Sequence, residues 1–525
     1  MTASGDDHGR AAAPSELRRA GALPPWLIGL PDPQRMRATD DWAIKERGIP
    51  GLELMERAGR GLADAVTAMV PDGPVAVVCG KGNNGGDGYV AARLLRQTGL
   101  EVRTLAAAPI DELRGDARVN AERVDDVEAF DGARLAGCAV AIDALLGTGF
   151  AGAPHGAVAD AIGALNAAGL PVVAADVPSG VDAATGVVEG EAVRAAVTAT
   201  FAAPKPGLWI DPGKAHAGEV RVIDIGIPRG APVDEPDVGL MDDARLLALL
   251  SARAAGWTKF TSGHVLVAGG SRGLTGAPSL SAEAAQRAGA GYVTACVPAS
   301  LETIFEGRLL EAMTRGLPDA DGAHTAAGVD GVLELAARGG ALVVGPGIGR
   351  TEGAFAFARD LVARAQVAIV LDADGLNAHA GDLAALAGRG APTVLTPHEG
   401  ELARLLDTDS DEVKKRRLDH VRAAAARSQA IVLLKGDDTL VAAPGGLVAV
   451  SPGATGALAT AGTGDVLSGV VAAMLARGME PFAATCAAAR LHARAGIHAA
   501  SEKGVDGVIA RDVIEALPFA RPGRV

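Results

Sequence analysis

Residues 459–476 read ATAGTGDVLSGVVAAMLA, a glycine-rich turn that runs without a break into an apolar helix. Gly462 and Gly464 leave room for a phosphoryl group against the backbone. The helix behind them would aim its N-terminal dipole and amides at developing negative charge. Asp465 stands in the first turn, where it could accept a proton from an attacking hydroxyl. Aspartate is also a common helix cap. The GTGD pattern ahead of a helix of small apolar residues favours the catalytic role.

Upstream, short apolar runs alternate with helical segments. They are HVLVAGG at 264–270, GYVTACVP at 291–298, ALVVGPGIG at 341–349, AIVLDADG at 368–375, TVLTPHEGE at 393–401 and AIVLLKG at 430–436. Alternation of this kind predicts βαβ units and a mostly parallel sheet. GPGIG and PHEGE end strands on the presumed active edge, which makes His398, beside Pro397 and Glu399, a site candidate. KGDDT, from Lys435 through Gly436, Asp437 and Asp438 to Thr439, reads either as a nucleotide-phosphate contact or as an exposed hairpin. No GxxxxGK[ST] pattern occurs, which disfavours a P-loop fold.

A first α/β series precedes this one. Helical spacing from Gln34 to Met69 gives way to strand-like runs at 75–80, 101–106, 139–147, 171–177 and 219–226. GKGNNGGDG at Gly80–Gly88 follows a buried run and opens a helix, so its amides and the helix dipole form an anion site. Gly80, Gly82 and Gly85 satisfy GxGxxG, but the next strand ends in LAAAP, without the acidic residue of a dinucleotide-binding dehydrogenase. LLGTGFAGA at Leu145–Ala153 follows a strand holding Asp143, and ADVPSGVD places Asp176 and Ser179 at another strand end. Any one loop alone reads as a tight turn, whereas three would converge on one crevice of a doubly wound sheet. Asn84, Asp143 and Ser179 offer oxygen ligands only, which suit a hard cation.

The chain has 525 residues, too many for one hydrophobic core. IPRGAPVDEPDVGLMDD, from Ile227 to Asp243, is rich in proline and acid and marks the domain boundary. Residues 1–30 are expected to be weakly ordered, 31–232 to form one domain, 233–245 a linker and 246–520 a second domain. A net charge of -14 disfavours non-specific binding to nucleic acid or anionic membranes, though backbone amides can still bind an anionic ligand. Four scattered cysteines (Cys79, Cys138, Cys296 and Cys486) form no CxxC motif and read as reduced core thiols. With neither a signal peptide nor a membrane span legible, a soluble cytoplasmic protein is expected.

Assembled in order, these motifs resemble the bifunctional NAD(P)H-hydrate repair enzymes. GNNGGDG, IDALLGTG, DVPSG and APKPG lie in the first half, then GSRGLTGAP, GPGIG, PHEGE, KGDDT and AGTGD in the second. The resemblance implies a Rossmann-like three-layer epimerase domain followed by a ribokinase-like, ADP-dependent dehydratase domain, both α/β with mostly parallel sheets. Asn83, Asn84, Gly85, Gly86 and Asp87 would bind the hydrated dinucleotide. So would Gly147, Thr148, Gly149, Phe150, Ala151, Gly152 and Ala153, together with Asp176. Asn84, Asp143 and Ser179 would hold potassium, with Asp176 as acid–base group and Lys205 as a further candidate.

In the dehydratase, Ala277, Gly347 or Gly349, His398 and Asp465 would contact the substrate, and Lys435–Thr439 with Gly464 the nucleotide, with Mg2+ and ADP as the implied cofactors. The expected partners are NADHX or NADPHX and ADP, in a homo-oligomer. Two rivals remain at this stage. The second half resembles a true small-molecule kinase of ribokinase type, and the first a ligand-sensing module on a reused fold.

Overall fold

A computed structural model describes residues 23–70, 72–232, 236–250, 252 and 256–521. The chain divides into two compact units, one holding Ile28–Leu240 with Lys414–Leu418 and the other most of the remainder. Residues 1–22 of the expected N-terminal segment and 233–235 of the expected linker lie outside the described residues. Within those two segments, Leu27–Gly29 and Val238–Met241 are strands. Trp26, Leu27 and Leu30 are buried, as their apolar side chains require.

In the first unit seven strands lie parallel. Their order is Val127–Ala129, Val102–Ala106, Val75–Cys79, Val140–Ala144, Val172–Ala175, Val197–Phe201 and Glu219–Ile223. The chain starts at Val75–Cys79, builds outward to one side, then returns to build the other from Val140–Ala144. These two neighbours are therefore the switch point, where the loops at their carboxyl ends part and leave a crevice. The loops at Gly80 and Leu145 meet there, and a side chain on Gly80 would run into the Leu145 carbonyl oxygen. The continuous helical pattern of residues 34–69 is two helices, Pro33–Lys45 and Gly51–Met69. Gly48, at a positive φ of 70°, and Pro50 break it.

The second unit repeats the logic on a larger sheet. Seven parallel strands run in the order Ile431–Leu434, Thr393–Leu395, Ala368–Leu371, Ala341–Val344, His264–Ala268, Tyr292–Pro298 and Met313–Leu317. Leu440–Ala442 and Val448–Val450 extend it in antiparallel fashion beyond Ile431–Leu434. The switch point lies between His264–Ala268 and Ala341–Val344. Helix Thr463–Ala476 is apolar all round and buried from Val466 to Leu475, as such a helix must be. Its Gly469 lies against the Ser281 carbonyl of helix Gly276–Ala288, a close crossing that small side chains permit.

The close approach at Gly80 gives a test. Gly80→Ala should destabilise the protein by roughly 1–3 kcal/mol, the usual cost of overpacking, in urea unfolding. Gly82→Ala, with nothing within 4 Å of the new methyl, should cost under ~1 kcal/mol. Equal losses for both would contradict this packing.

Candidate active sites

The first crevice opens into a cavity of about 960 Å3. It is lined by Asn83, Asn84, Asp87, Gly147, Thr148, Gly149, Phe150, Asp176 and Lys205 among others. Gly85 and Gly86 are buried in the helix behind it, whereas Ala151, Gly152 and Ala153 are exposed and do not line it. Helix Asn83–Gln97 presents its N-terminus to this space, the geometry for an anion.

Asp143 lies fully buried beneath the crevice. It accepts from the Ser179 hydroxyl at 2.6 Å, the Ser179 amide at 2.8 Å and the Leu145 amide at 3.2 Å. Burial pushes its carboxyl up to about 6 against those donors. The Ser179 hydroxyl also accepts from the Leu146 amide at 2.8 Å, and Asn84 Nδ2 donates to the Leu146 carbonyl at 3.0 Å. The three oxygen-bearing side chains predicted from sequence thus gather on one loop. Asn84 Oδ1 is buried without a hydrogen-bond partner.

Asp176 sits at the end of Val172–Ala175 with a positive φ of 66°, a conformation uncommon outside glycine. Its Oδ1 accepts from Lys205 Nζ at 2.5 Å and from the Phe201 amide at 3.3 Å, and Thr148 Oγ1 donates to Oδ2. Lys205 is completely buried and also donates to Thr200 Oγ1 at 2.9 Å and the Phe201 carbonyl at 2.8 Å. Burial alone would raise the Asp176 pKa; the adjacent ammonium and donors outweigh it and hold the carboxyl below its ordinary value. The Asp176–Lys205 ion pair faces a ligand-sized space.

In the second unit four consecutive strand ends carry Lys435, His398, Asp372 and Gly345. Asp372 is buried, accepting from Lys435 Nζ at 2.9 Å through Oδ1 and from Ser468 Oγ through Oδ2. Lys435 Nζ also lies 3.9 Å from Glu401. Burial disfavours the ammonium, but Asp372 and Glu401 reverse the effect and raise its pKa. A methyl at Gly464 would come within 3.2 Å of the same Nζ, so the ammonium and the start of helix Thr463–Ala476 share one anion site. Ser281 Oγ donates to the Asp465 carbonyl at 2.9 Å and fixes the first turn. Burial and the nearby Asp372 push the Asp465 carboxyl up to about 7, near the operating pH of a general base.

Ala277 and Gly347 are neighbours, since a methyl at Gly347 would stand 3.3 Å from the Ala277 methyl. Gly349 faces Ser271, whose hydroxyl donates to the Gly347 carbonyl at 2.8 Å. His398 caps helix Glu399–Leu406, its Nδ1 accepting from the Gly400 amide at 3.0 Å; its side chain stays half exposed on the active edge. Lys435–Thr439 joins two antiparallel strands as a hairpin, with Gly436 and Asp437 exposed and Asp438 buried. Sequence reasoning passed over Asp372, Ser468 and Glu401. The acid ending the run AIVLD was the signal for Asp372, the same one that marked Asp143 and Asp176.

The two crevices define a two-site α/β enzyme, Rossmann-like in its first unit and ribokinase-like in its second. The family described as NAD(P)H-hydrate dehydratase matches residues 265–519, and that described as YjeF-related protein N-terminus matches residues 51–207. The bifunctional NAD(P)H-hydrate repair enzyme of Moorella thermoacetica is 39% identical over 503 residues, covering 92% of this chain and 95% of its own. That of Salinibacter ruber is 40% identical over 516 residues, covering 92% and 94%. Among solved structures, the ADP/ATP-dependent NAD(P)H-hydrate dehydratase of Bacillus subtilis, co-crystallised with ATP and Mg2+, is 29% identical. It covers 53% of this chain and 95% of that one, at a TM-score of 0.45. The chain belongs to the family of bifunctional NAD(P)H-hydrate repair enzymes.

The Asp176–Lys205 couple yields a prediction. Lys205→Met leaves a buried carboxylate without its counter-charge and should cost about 3–5 kcal/mol near neutral pH. Without Lys205 burial raises the Asp176 pKa in the folded state, so the loss should shrink as pH falls and the carboxyl protonates. Urea unfolding at neutral and acid pH measures both, and a pH-independent loss would contradict the pairing.

Proposed function

We propose that the first unit interconverts the R and S hydrates of NADH and NADPH. The second, in this proposal, dehydrates the S form at the expense of ADP, giving AMP and phosphate. The epimerase is assigned to residues 31–232 and the dehydratase to 246–520. The carrying observation is Asp465 at the start of an apolar helix, its carboxyl raised to about 7 beside the Lys435 ammonium.

The hydrate bears a hydroxyl on C6 of the reduced ring, and hydroxide is a poor leaving group. Asp465 takes the hydroxyl proton as the oxygen attacks the terminal phosphoryl of ADP. The amides at Gly464 and the Lys435 ammonium stabilise charge on the transferring phosphoryl. Bound with the nucleotide, Mg2+ would add charge compensation there, and Glu401 beside Lys435 offers the hard oxygen donor to hold it. Phosphate then leaves C6 with the bonding pair as the ring nitrogen forms a C6=N1 iminium. Loss of the C5 proton to water forms the C5=C6 bond and returns the π pair to nitrogen, restoring NADH or NADPH. Ala277, Gly347, Gly349 and His398 form the substrate wall, and Lys435–Thr439 with Gly464 the nucleotide side.

In the epimerase, Asn83–Asp87 and Gly147–Ala153 hold the dinucleotide, and Asp176 with Lys205 moves the proton. Asn84, Asp143 and Ser179 would hold potassium, whose charge offsets buried Asp143; the unpartnered Asn84 Oδ1 supports that assignment. Among the described residues no helix is long and apolar enough to cross a membrane. The proposed setting is the cytoplasm, in keeping with four buried, free cysteines, and the proposed quaternary state is a homo-oligomer.

The test mixes purified protein with R and S NADHX, Mg2+ and either ADP or ATP, and follows NADH recovery by absorbance. Full recovery is expected with ADP, through both activities. Because the base must be ionised, dehydration should fall as pH drops through about 7. Asp465→Asn should lower the rate by ~10²–10⁴. Stable accumulation of a phosphorylated product would favour the kinase reading instead, and no recovery with either nucleotide would overturn the proposal.

A further inference from the structure

The cavity of the first unit holds more acid than the Asp176–Lys205 couple uses. Asp40, on helix Pro33–Lys45, and Asp87, on helix Asn83–Gln97, line the same 960 Å3 space. With Asp176 they make three of the five carboxylates that line it, beside Lys205, the one buried ammonium described there. Like charges in a confined site cannot all ionise, so some carboxyls keep their protons. Burial, followed by the charges of Asp176 and Asp40, drives the Asp87 carboxyl well above its ordinary range. Asp40 is exposed and lines the cavity, where partial desolvation and then Asp176 raise its carboxyl to about 6.

We propose that Asp40 is a second acid–base group of the epimerase, reaching the C6 hydroxyl from a different structural element than Asp176. This rests on the epimerase reading above. A carbon that inverts by losing and regaining water needs proton traffic on both its faces. One fixed carboxylate serves one face of a ring whose dinucleotide remainder is anchored.

In one direction Asp40, as the acid, protonates the C6 hydroxyl. The C6–O bond breaks, water leaves with the bonding pair, and the N1 lone pair forms a C6=N1 iminium. Water then adds to the opposite face of C6, the π pair returns to N1, and the Asp176 carboxylate takes the released proton. The net result is an inverted C6 and one proton moved from Asp40 to Asp176, restored by exchange through cavity water. The reverse reaction swaps the roles. Arg37 and Asp41 flank Asp40 on its own helix, and Asp176, Lys205 and Asp87 face it from other elements. Lys81, Glu112, Asp116 and His155 complete the charged and titratable lining.

The experiment uses the full chain and chromatographic separation of R and S NADHX, without nucleotide. Asp40→Asn should slow interconversion by ~10²-fold or more, remove the pH dependence near 6, and leave the melting temperature unchanged. Asp40→Glu should restore part of the rate. In H2(18)O the C6 hydroxyl should gain label in step with inversion. Wild-type rate and pH profile in Asp40→Asn, with Asp176→Asn inactive, would overturn the Asp40 assignment alone. Inversion without label would overturn the water-loss step. A wild-type protein that never interconverts the epimers would remove the epimerase reading itself, and this proposal with it.

Discussion

Where two parallel strands lie side by side but their outgoing loops turn to opposite faces of the sheet, the backbone cannot close over the gap. Everything functional in both units is built on that constraint. In the first unit the gap lies beyond Cys79 and Ala144, in the second beyond Ala268 and Val344. The backbone there packs so tightly that only glycine fits. A side chain on Gly80 would strike the Leu145 carbonyl, and one on Gly345 the Asp372 carbonyl. Such contacts hold the crevice walls to one geometry, so the side chains they carry are positioned without support from a ligand.

The carboxylates at these edges fall into two groups. Asp143 is surrounded by hydrogen-bond donors, Asp176 is matched by Lys205, and Asp372 by Lys435 and Ser468. Their charges are compensated in place by those partners. Asp465 and Asp40 are different. Each is raised towards neutrality by burial and by the compensated acid nearby, Asp372 for one and Asp176 for the other. A carboxyl raised in this way has its pKa close to physiological pH. The same arrangement therefore appears twice on unrelated sequence, a partnered acid raising the pKa of a second one.

Helix Thr463–Ala476 ties packing to chemistry. It is buried on all sides between the sheet and helix Gly276–Ala288, and Ser281 of that neighbour bonds the Asp465 carbonyl. Small residues such as Gly469 and Ala472 let it approach closely. A larger residue there would displace the first turn and with it the anion site shared by Gly464 and Lys435.

Most strands of both sheets were legible, because parallel strands buried on both faces read as unbroken apolar runs. Val197–Phe201 was not, since VTATF lies among alanines that suit helix or strand equally. Nor was Met313–Leu317, an edge strand partly open to solvent and lacking an apolar run. By itself the sequence determined the two α/β series, the glycine loops at their strand ends, and the places of Asp465, Asp176, Asp143 and Lys435 at strand ends or a helix start. These are local properties, a side chain's distance in sequence from a strand end or helix start. Only the tertiary structure decided that Lys205 pairs with Asp176, that Asp372 raises the pKa of Asp465, and that Asp40 lines the same cavity as Asp176, which lies more than a hundred residues further along the chain. Those relations depend on charge across space, and nothing in the spacing of residues along the chain encodes them.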